Sequence, residues 1–168
     1  MSETRERIAD HVVTNPGVHF SELVRALDLA PGQVQYHLRK LDDRVVSAEL
    51  FGRTHYYPPD CDERDRRVLA ILHRETARDV VLSLLQQGPS APDTVADDLE
   101  IARSTLEWHL DRLVSEDIVR KSRDQRGRVT LVLVEADRTA AYLETVDPSL
   151  PDRLVDRFDR LLDDLLTE

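Results

Sequence analysis

Two stretches of this sequence place polar side chains with hydrogen-bonding and charged groups at helical spacing. In the first stretch, Val34, Leu38, Leu41 and Val45 recur at intervals of four, three and four, which is typical of the buried stripe of an amphipathic helix. Because each helical residue advances by about 100°, the polar neighbours of this stripe turn outward or lie on its flanks. They are Gly32, Gln33, Gln35, Tyr36, His37, Arg39 and Lys40. Amide, guanidinium and ammonium groups suit contacts with base edges and phosphates.

The same arrangement occurs a second time. Tyr36-His37-Leu38 corresponds to Trp108-His109-Leu110, and one ungapped offset aligns Glu3-Thr4 with Glu75-Thr76. The second outward set contains Ser104, Thr105, Glu107, Trp108, Asp111 and Arg112, with Arg103 and His109 beside it. A pattern that is repeated without gaps indicates two copies of one domain.

Each repeated stretch lies within the same predicted order of elements. Residues 3–14 and 21–27 are predicted to be helices, with a short strand at 18–20 between them and a third helix at 31–41. Two β-rich runs around Gly52-Arg53 then predict a hairpin. The second copy gives helices at 92–99 and 102–116 and strands at 118–121 and 129–134. Helix, strand, helix, helix, hairpin is the order of a winged helix-turn-helix domain, so we predict a mainly α (α+β) fold with small β-wings.

The breakers predict the domain boundaries. Pro58-Pro59 ends the first domain, so we assign residues 1–58 and 75–134 to two tandem winged helix-turn-helix domains. We predict a linker helix at residues 59–74, and the sequence leaves open whether 61–87 is one helix or two. Residues 135–168 are predicted to contain C-terminal helices. An apolar stripe on the last of these predicts dimerisation or packing, and it contains Leu154, Phe158, Leu161, Leu162 and Leu165.

The net charge of −10 would ordinarily argue against a nucleic-acid partner. The acidity is concentrated in residues 135–168, however, and a basic cluster at the second hairpin contains Lys121, Arg123, Arg126 and Arg128. Lysine is scarce and aspartate abundant, as in haloarchaeal proteins with a halophilic acidic surface. In concentrated salt the Debye length falls to about 3 Å, so only close contacts count. The acidic sum is therefore weak evidence against DNA binding.

The sequence favours neither catalysis nor a cofactor. The one cysteine, Cys61, cannot form a disulfide within the chain or a cysteine metal cluster. No histidine or cysteine pair has metal-site spacing, and no nucleophile motif or phosphate loop stands out. The sequence shows neither a membrane-spanning apolar run nor a signal peptide. We therefore expect a cytoplasmic, non-enzymatic protein without metal or cofactor.

In Tyr36-His37-Leu38-Arg39-Lys40-Leu41 and its counterpart at residues 108–113, the chain resembles winged helix-turn-helix transcription regulators of the ArsR/MarR-like type. It is most similar to haloarchaeal regulators with two such domains in tandem, and the resemblance covers residues 3 to about 134. It implies a homodimer that binds double-stranded DNA sequence-specifically and regulates transcription. The family usually has Ser or Thr before the recognition helix, where this chain has Ala30 and Ala102.

On this hypothesis, helices 31–41 and 103–113 enter major grooves. The wings at residues 51–55 and 122–128 flank minor grooves, and Arg53 is the predicted DNA contact of the first wing. The main alternative is a tandem winged-helix scaffold that binds proteins and not DNA. A role mainly in dimerisation is an equal alternative for the second copy, because Glu107 and Asp111 would be repelled by phosphates. His37 and His109 suit either packed, hydrogen-bonded positions or phosphate contacts. A small-molecule effector, the operator and the direction of regulation stay open.

Overall fold

The computed structural model describes residues 2–149, which form eight α-helices and two small antiparallel sheets. This confirms the predicted mainly helical α+β fold. The predicted C-terminal stripe at residues 154–165 lies outside the described residues. Within residues 2–149, no helix is both long and apolar enough to cross a membrane.

The first unit comprises residues 3–57. Its helices are α1 (Glu3–Thr14), α2 (Phe20–Leu27) and α3 (Pro31–Arg39), and its strands are β1 (Val18–His19), β2 (Val46–Leu50) and β3 (Arg53–Tyr57). The strands form an antiparallel sheet in the order β1-β3-β2, in which Val18 pairs with Tyr56 and Leu50 with Arg53. This sheet carries the hairpin that follows α3.

The second unit, residues 75–133, repeats most of that order. It contains α5 (Glu75–Gln87), α6 (Pro92–Leu99), α7 (Arg103–Ser115), β4 (Val119–Arg123) and β5 (Val129–Leu133), and it is flanked by α4 (Glu63–Leu72) and α8 (Ala136–Val146). The position that corresponds to β1 has a single bridge between Ser90 and Leu131. The second hairpin is therefore a two-stranded sheet.

One predicted helix was too long. The helix predicted at 31–41 ends at Arg39, because Lys40 is its C-cap and the chain then turns, with the Leu41 N–H donating to the Leu38 carbonyl. The buried Leu41 and Val45 are thus core residues of the turn after α3. The helix predicted at 102–116, which includes the groove-entering residues 103–113, is observed as α7 at Arg103–Ser115, with Ala102 and Glu116 as its caps.

Residues 61–87 form two helices, which answers the question that the sequence left open. The break is an elbow made of His73, the C-cap of α4, and Arg74, the N-cap of α5, whose ψ is 123°. Both elbow residues bond to the first unit: His73 Nε2 lies 3.0 Å from the Pro16 carbonyl oxygen, and Arg74 Nη2 donates to the Phe51 carbonyl. These contacts with residues distant in sequence favour the break over a continuous helix.

The buried apolar side chains form two clusters. One lies inside the first unit and includes Ile8, Val12, Leu23 and Val34. The other lies inside the second unit, and α4 and α8 contribute to it: Val68, Ile71, Leu72, Val80, Leu106, Leu110, Leu113, Leu131 and Leu143. Helix α4 therefore packs as part of the second core rather than as a free spacer.

Candidate nucleic-acid interface

Helix α3 is fixed by its start and by one buried side. Pro31 occupies the first turn, where its missing N–H costs nothing, and Val34 is fully buried in the first core. Ala30 offers no capping oxygen, as the sequence indicated. The Gln33 Oε1 instead accepts from the Ala30 N–H at 3.3 Å, so this predicted base contact also serves as a cap.

The opposite side of α3 faces solvent. Gly32, Gln35, Arg39 and Lys40 are exposed, and Tyr36 has 53% of its surface accessible. No ion pair within residues 2–149 involves Arg39 or Lys40. The Lys40 ammonium lies 5.8 Å from the centre of the Tyr36 ring, which fixes a cationic and an aromatic group side by side. This α3 face therefore has free donors, acceptors and positive charge.

The two equivalent histidines have the same local surroundings. His37 stands edge-on to Tyr36 with ring centres 5.2 Å apart, and His109 stands edge-on to Trp108 at 4.8 Å. Both histidines are half-buried, and the Nδ1 atom of each is buried without a hydrogen-bond partner in the described part of the chain. Both rings are packed, but neither Nδ1 is hydrogen-bonded among the described residues, so the choice between a packed, hydrogen-bonded histidine and a phosphate contact stays open.

The first hairpin is held by the elbow. Arg74 donates to the Phe51 carbonyl at the hairpin tip, and the Arg67 guanidinium lies 5.7 Å from the centre of the half-buried Phe51 ring. Arg53, at the start of β3, is exposed. Phe51 of the predicted wing 51–55 is thus held against the rest of the chain, whereas Gly52 and Arg53 are exposed.

The start of α7 carries an internal ion-pair network. Glu107 accepts from Lys121 Nζ at 2.8 Å and pairs with Arg103 Nη2 at 3.1 Å, and Arg103 also pairs with Asp93. The hydrogen bond from Lys121 is the largest of the effects that lower the pKa of Glu107, against opposition from burial. The charges of Arg103 and Lys121, two predicted DNA contacts, are therefore already neutralised by carboxylates of the same unit. Ser104 and Thr105, also predicted DNA contacts, are exposed.

The later part of α7 faces the elbow. The Arg112 guanidinium carbon lies 3.3 Å from the centre of the Trp108 ring and that of Arg74 lies 5.0 Å from it. Trp108 keeps 39% of its surface accessible. The structure thus brings Trp108, His109 and Arg112 together at the junction of the two units. Sequence reasoning missed Arg74, because nothing local marks a residue that bonds to a hairpin 23 positions away.

The second hairpin has a rigid tip with free cations. Asp124 Oδ1 accepts from the backbone N–H groups of Arg126 and Arg128 at 2.8 and 2.9 Å, and Oδ2 pairs with Arg128 Nε at 2.9 Å. These bonds lower the pKa of Asp124, with the Arg128 backbone bond as the largest cause. Arg123 Nη1 donates weakly to the Gly127 carbonyl at 3.3 Å. Arg120, Arg123 and Arg126 are exposed and lack ion pairs within residues 2–149.

Between residues 2 and 149, no group of three or more histidine, cysteine and acidic side chains could hold a metal ion. The predicted dimer contacts Leu154, Phe158, Leu161, Leu162 and Leu165 lie outside that region.

The three helices and hairpin of residues 3–57 define a winged helix-turn-helix unit. A family model described as an N-terminal HTH domain matches residues 2–69. The chain is also similar to MJ1398 of Methanocaldococcus jannaschii, described as an uncharacterized HTH-type transcriptional regulator, with 31% identity over 138 residues. That alignment covers 81% of this chain and 34% of the relative, so the chain spans about a third of the relative's length.

Two solved structures show a distant likeness. The YusO protein from Bacillus subtilis is 14% identical with a TM-score of 0.42, and the alignment covers 88% of this chain and 93% of that one. The transcriptional regulator BldR from Sulfolobus solfataricus is 16% identical with a TM-score of 0.40, covering 80% and 93%. Because both scores are below 0.5, the assignment of the fold rests on the elements described above.

Proposed function

We propose that this protein is a transcription regulator that binds double-stranded DNA sequence-specifically through α3 of the first unit. The observation that carries the proposal is the α3 face, where Gln35, Tyr36, Arg39 and Lys40 are exposed on a helix fixed by the buried Val34. A helix of this kind fits the major groove, where glutamine can bond adenine edges and cations can bond phosphates. The match to an N-terminal HTH domain and the similarity to an HTH-type transcriptional regulator support it.

The second unit contributes through its hairpin in this proposal. Arg120, Arg123 and Arg126 lie on a rigid, exposed hairpin that can follow a phosphate backbone, whereas Arg103 and Lys121 must first exchange an internal carboxylate for a phosphate. We therefore assign sequence reading to α3 and mainly positioning to the second hairpin.

The proposed regulator acts as a homodimer, in line with the family resemblance and with the apolar stripe at residues 154–165. Two-fold symmetry then requires a palindromic or repeated site, with equivalent units about 34 Å or a multiple apart along the duplex. Measuring the mass of the full chain in solution, with and without Leu161→Asp, tests this part. A monomer in both cases contradicts it.

The decisive experiment compares two exposed helical arginines. Arg39→Gln should weaken binding to every duplex and lower the slope of log K against log salt by about 1, because one phosphate contact is lost. Arg64→Gln, in α4, makes the same charge change away from α3 and should leave both the affinity for DNA and the salt slope unchanged. Gln35→Ala should instead cost about 1–3 kcal/mol of discrimination at one base pair.

Fluorescence anisotropy with labelled duplexes from genomic fragments, at several salt concentrations, gives these quantities. Thermal unfolding of each variant controls for folding. If no fragment binds, or if Arg39→Gln and Arg64→Gln behave alike, α3 is not a DNA-reading helix and the scaffold alternative gains support.

A further inference from the structure

A cleft of about 540 Å³ lies between the two units, next to the elbow. Its walls come from both units: Arg25 lies on α2, Arg53 on β3, Arg74 at the elbow, Arg78 on α5 and His109 on α7. This volume is within the range of pockets that bind small molecules, about 300–1,000 Å³. We call it the inter-unit cleft.

The inter-unit cleft is positively charged in a protein whose net charge is −10. Four guanidinium groups line it against two carboxylates, those of Glu22 and Glu75. No salt bridge within residues 2–149 involves any of the four arginines. The first turn of α5, with Glu75 and Thr76 at the cleft wall, adds the partial positive charge of a helix N-terminus.

Glu22, one of the two acidic residues that line the cleft, is already engaged. The Glu22 carboxylate lies 2.9 Å from His19 Nε2 and 3.3 Å from His73 Nδ1. Burial opposes ionisation of Glu22, but the hydrogen bond from His73 and the charges of His73, His19 and Arg78 outweigh it and lower the pKa of Glu22. Glu22 therefore contacts the two histidines, and Arg78 is the one arginine of the four whose charge is among the causes of its lowered pKa.

The centre of the cluster contains unsatisfied polar atoms. Arg74 Nε and His109 Nδ1 are buried and lack hydrogen-bond partners among the residues described. Burial and the charges of Arg53 and Arg112 lower the pKa of Arg74, and burial with the charges of Arg74 and Arg112 lowers that of His109. A guanidinium group whose Nε is buried without a partner is stabilised by a nearby anion.

We infer that the inter-unit cleft binds a small, multiply charged anion that carries at least two phosphate or carboxylate groups. Guanidinium groups bind both kinds of group in a bidentate manner. One charged group of the anion meets Arg25 and Arg53 of the first unit, and another meets Arg74 and Arg78 of the elbow and second unit. Binding joins the two units and so raises the unfolding temperature. The inference does not rest on DNA binding.

The test uses the full chain without DNA, titrated with inorganic pyrophosphate and with citrate at constant ionic strength, and follows heat of binding and unfolding temperature. The wild type should show saturable binding and a rise in unfolding temperature. Arg25→Gln and Arg53→Gln should each weaken binding about tenfold, because each removes a charge-assisted hydrogen bond. Both arginines are exposed, so folding should persist. Arg64→Gln is the matched control and should bind like the wild type.

Three outcomes would overturn the inference. They are the absence of saturable binding of either anion to the wild type, an equal loss in Arg64→Gln, and binding that Arg25→Gln and Arg53→Gln leave unchanged. A duplex phosphate is the other possible source of an anion at this position. If neither anion binds while Arg53→Gln weakens DNA binding, these arginines contact the duplex and the small-anion site does not exist.

Discussion

Replacing Glu107 with glutamine should increase the affinity of the protein for DNA. Glu107 neutralises Lys121 at 2.8 Å and Arg103 at 3.1 Å, and all three lie at the start of α7 or on the adjoining strand β4. Glutamine keeps the size of the side chain and removes its charge. Lys121 then becomes free to contact a phosphate, whereas Arg103 keeps its ion pair with Asp93.

The size of the effect follows from counting one freed cation. Each phosphate contact adds about 0.9 to the negative slope of log K against log salt, so its contribution changes about eightfold for each tenfold change in salt concentration. Glu107→Gln should therefore steepen the slope by about 1. The cost in stability should be small, about 0.2–1 kcal/mol for each ion pair, because all the side chains involved are about one-third exposed or more and are screened by solvent.

Fluorescence anisotropy over a salt series measures the slope, and urea unfolding measures the stability. Glu144→Gln, an exposed glutamate on α8, makes the same change in net charge and should leave the slope unchanged. An unaltered slope in Glu107→Gln would refute the idea that this network restrains the second unit from binding phosphates. Equal slopes in both glutamine variants, steeper than the wild type, would show a general charge effect instead.

Two further predictions concern stability. Gly17→Ala should lower the free energy of unfolding, measured in urea, by about 1–3 kcal/mol. The reason is that φ at Gly17 is +93° and an added Cβ would lie 2.9 Å from His73 Cδ2. Gly52→Ala is the control: its φ is +79° but the space around it is open, so it should cost less stability. Stability should also fall between about pH 7 and pH 5, since unfolded histidines bind protons below about pH 6.5 while burial lowers the pKa of the folded His55. His55→Asn retains a donor for the Gly17 carbonyl and should reduce this dependence of stability on pH. If the dependence is unchanged in this variant, the loss of stability at low pH does not come from His55.

The repeat and the apolar periodicity predicted most of the elements. Helix α1 was predicted at its observed bounds, because the stop at Asn15-Pro16-Gly17 is a local signal; the structure adds a cap from the Ser2 side chain. Val34 was predicted to face inward and is fully buried. The length of α3 was overestimated because Leu41 continues the helical spacing while lying in the turn that follows. Apolar spacing shows which residues are buried more reliably than where a helix ends.

The surroundings of the candidate site could not be predicted in the same way. The elbow contact joins Arg74 to Phe51, and the ion-pair network joins Glu107 to Lys121, so each depends on how separate elements pack. The sequence showed only that Glu107 lies on the outward side of its helix. It could not show that this carboxylate neutralises a cation of the adjoining strand.

The equivalent aromatic residues of the two repeats show why this matters for function. Tyr36 lies near Lys40 on an exposed helix face, whereas the Trp108 ring has the guanidinium groups of both Arg112 and the elbow residue Arg74 beside it. The difference arises because the second unit follows α4 and the elbow, while the corresponding side of the first unit has no such neighbour among the described residues. A duplicated pattern therefore gives one helix that is open to a duplex and another whose later half is occupied. If both helices bound DNA, the first would do so without rearrangement, and the second would have to separate Trp108 from Arg74.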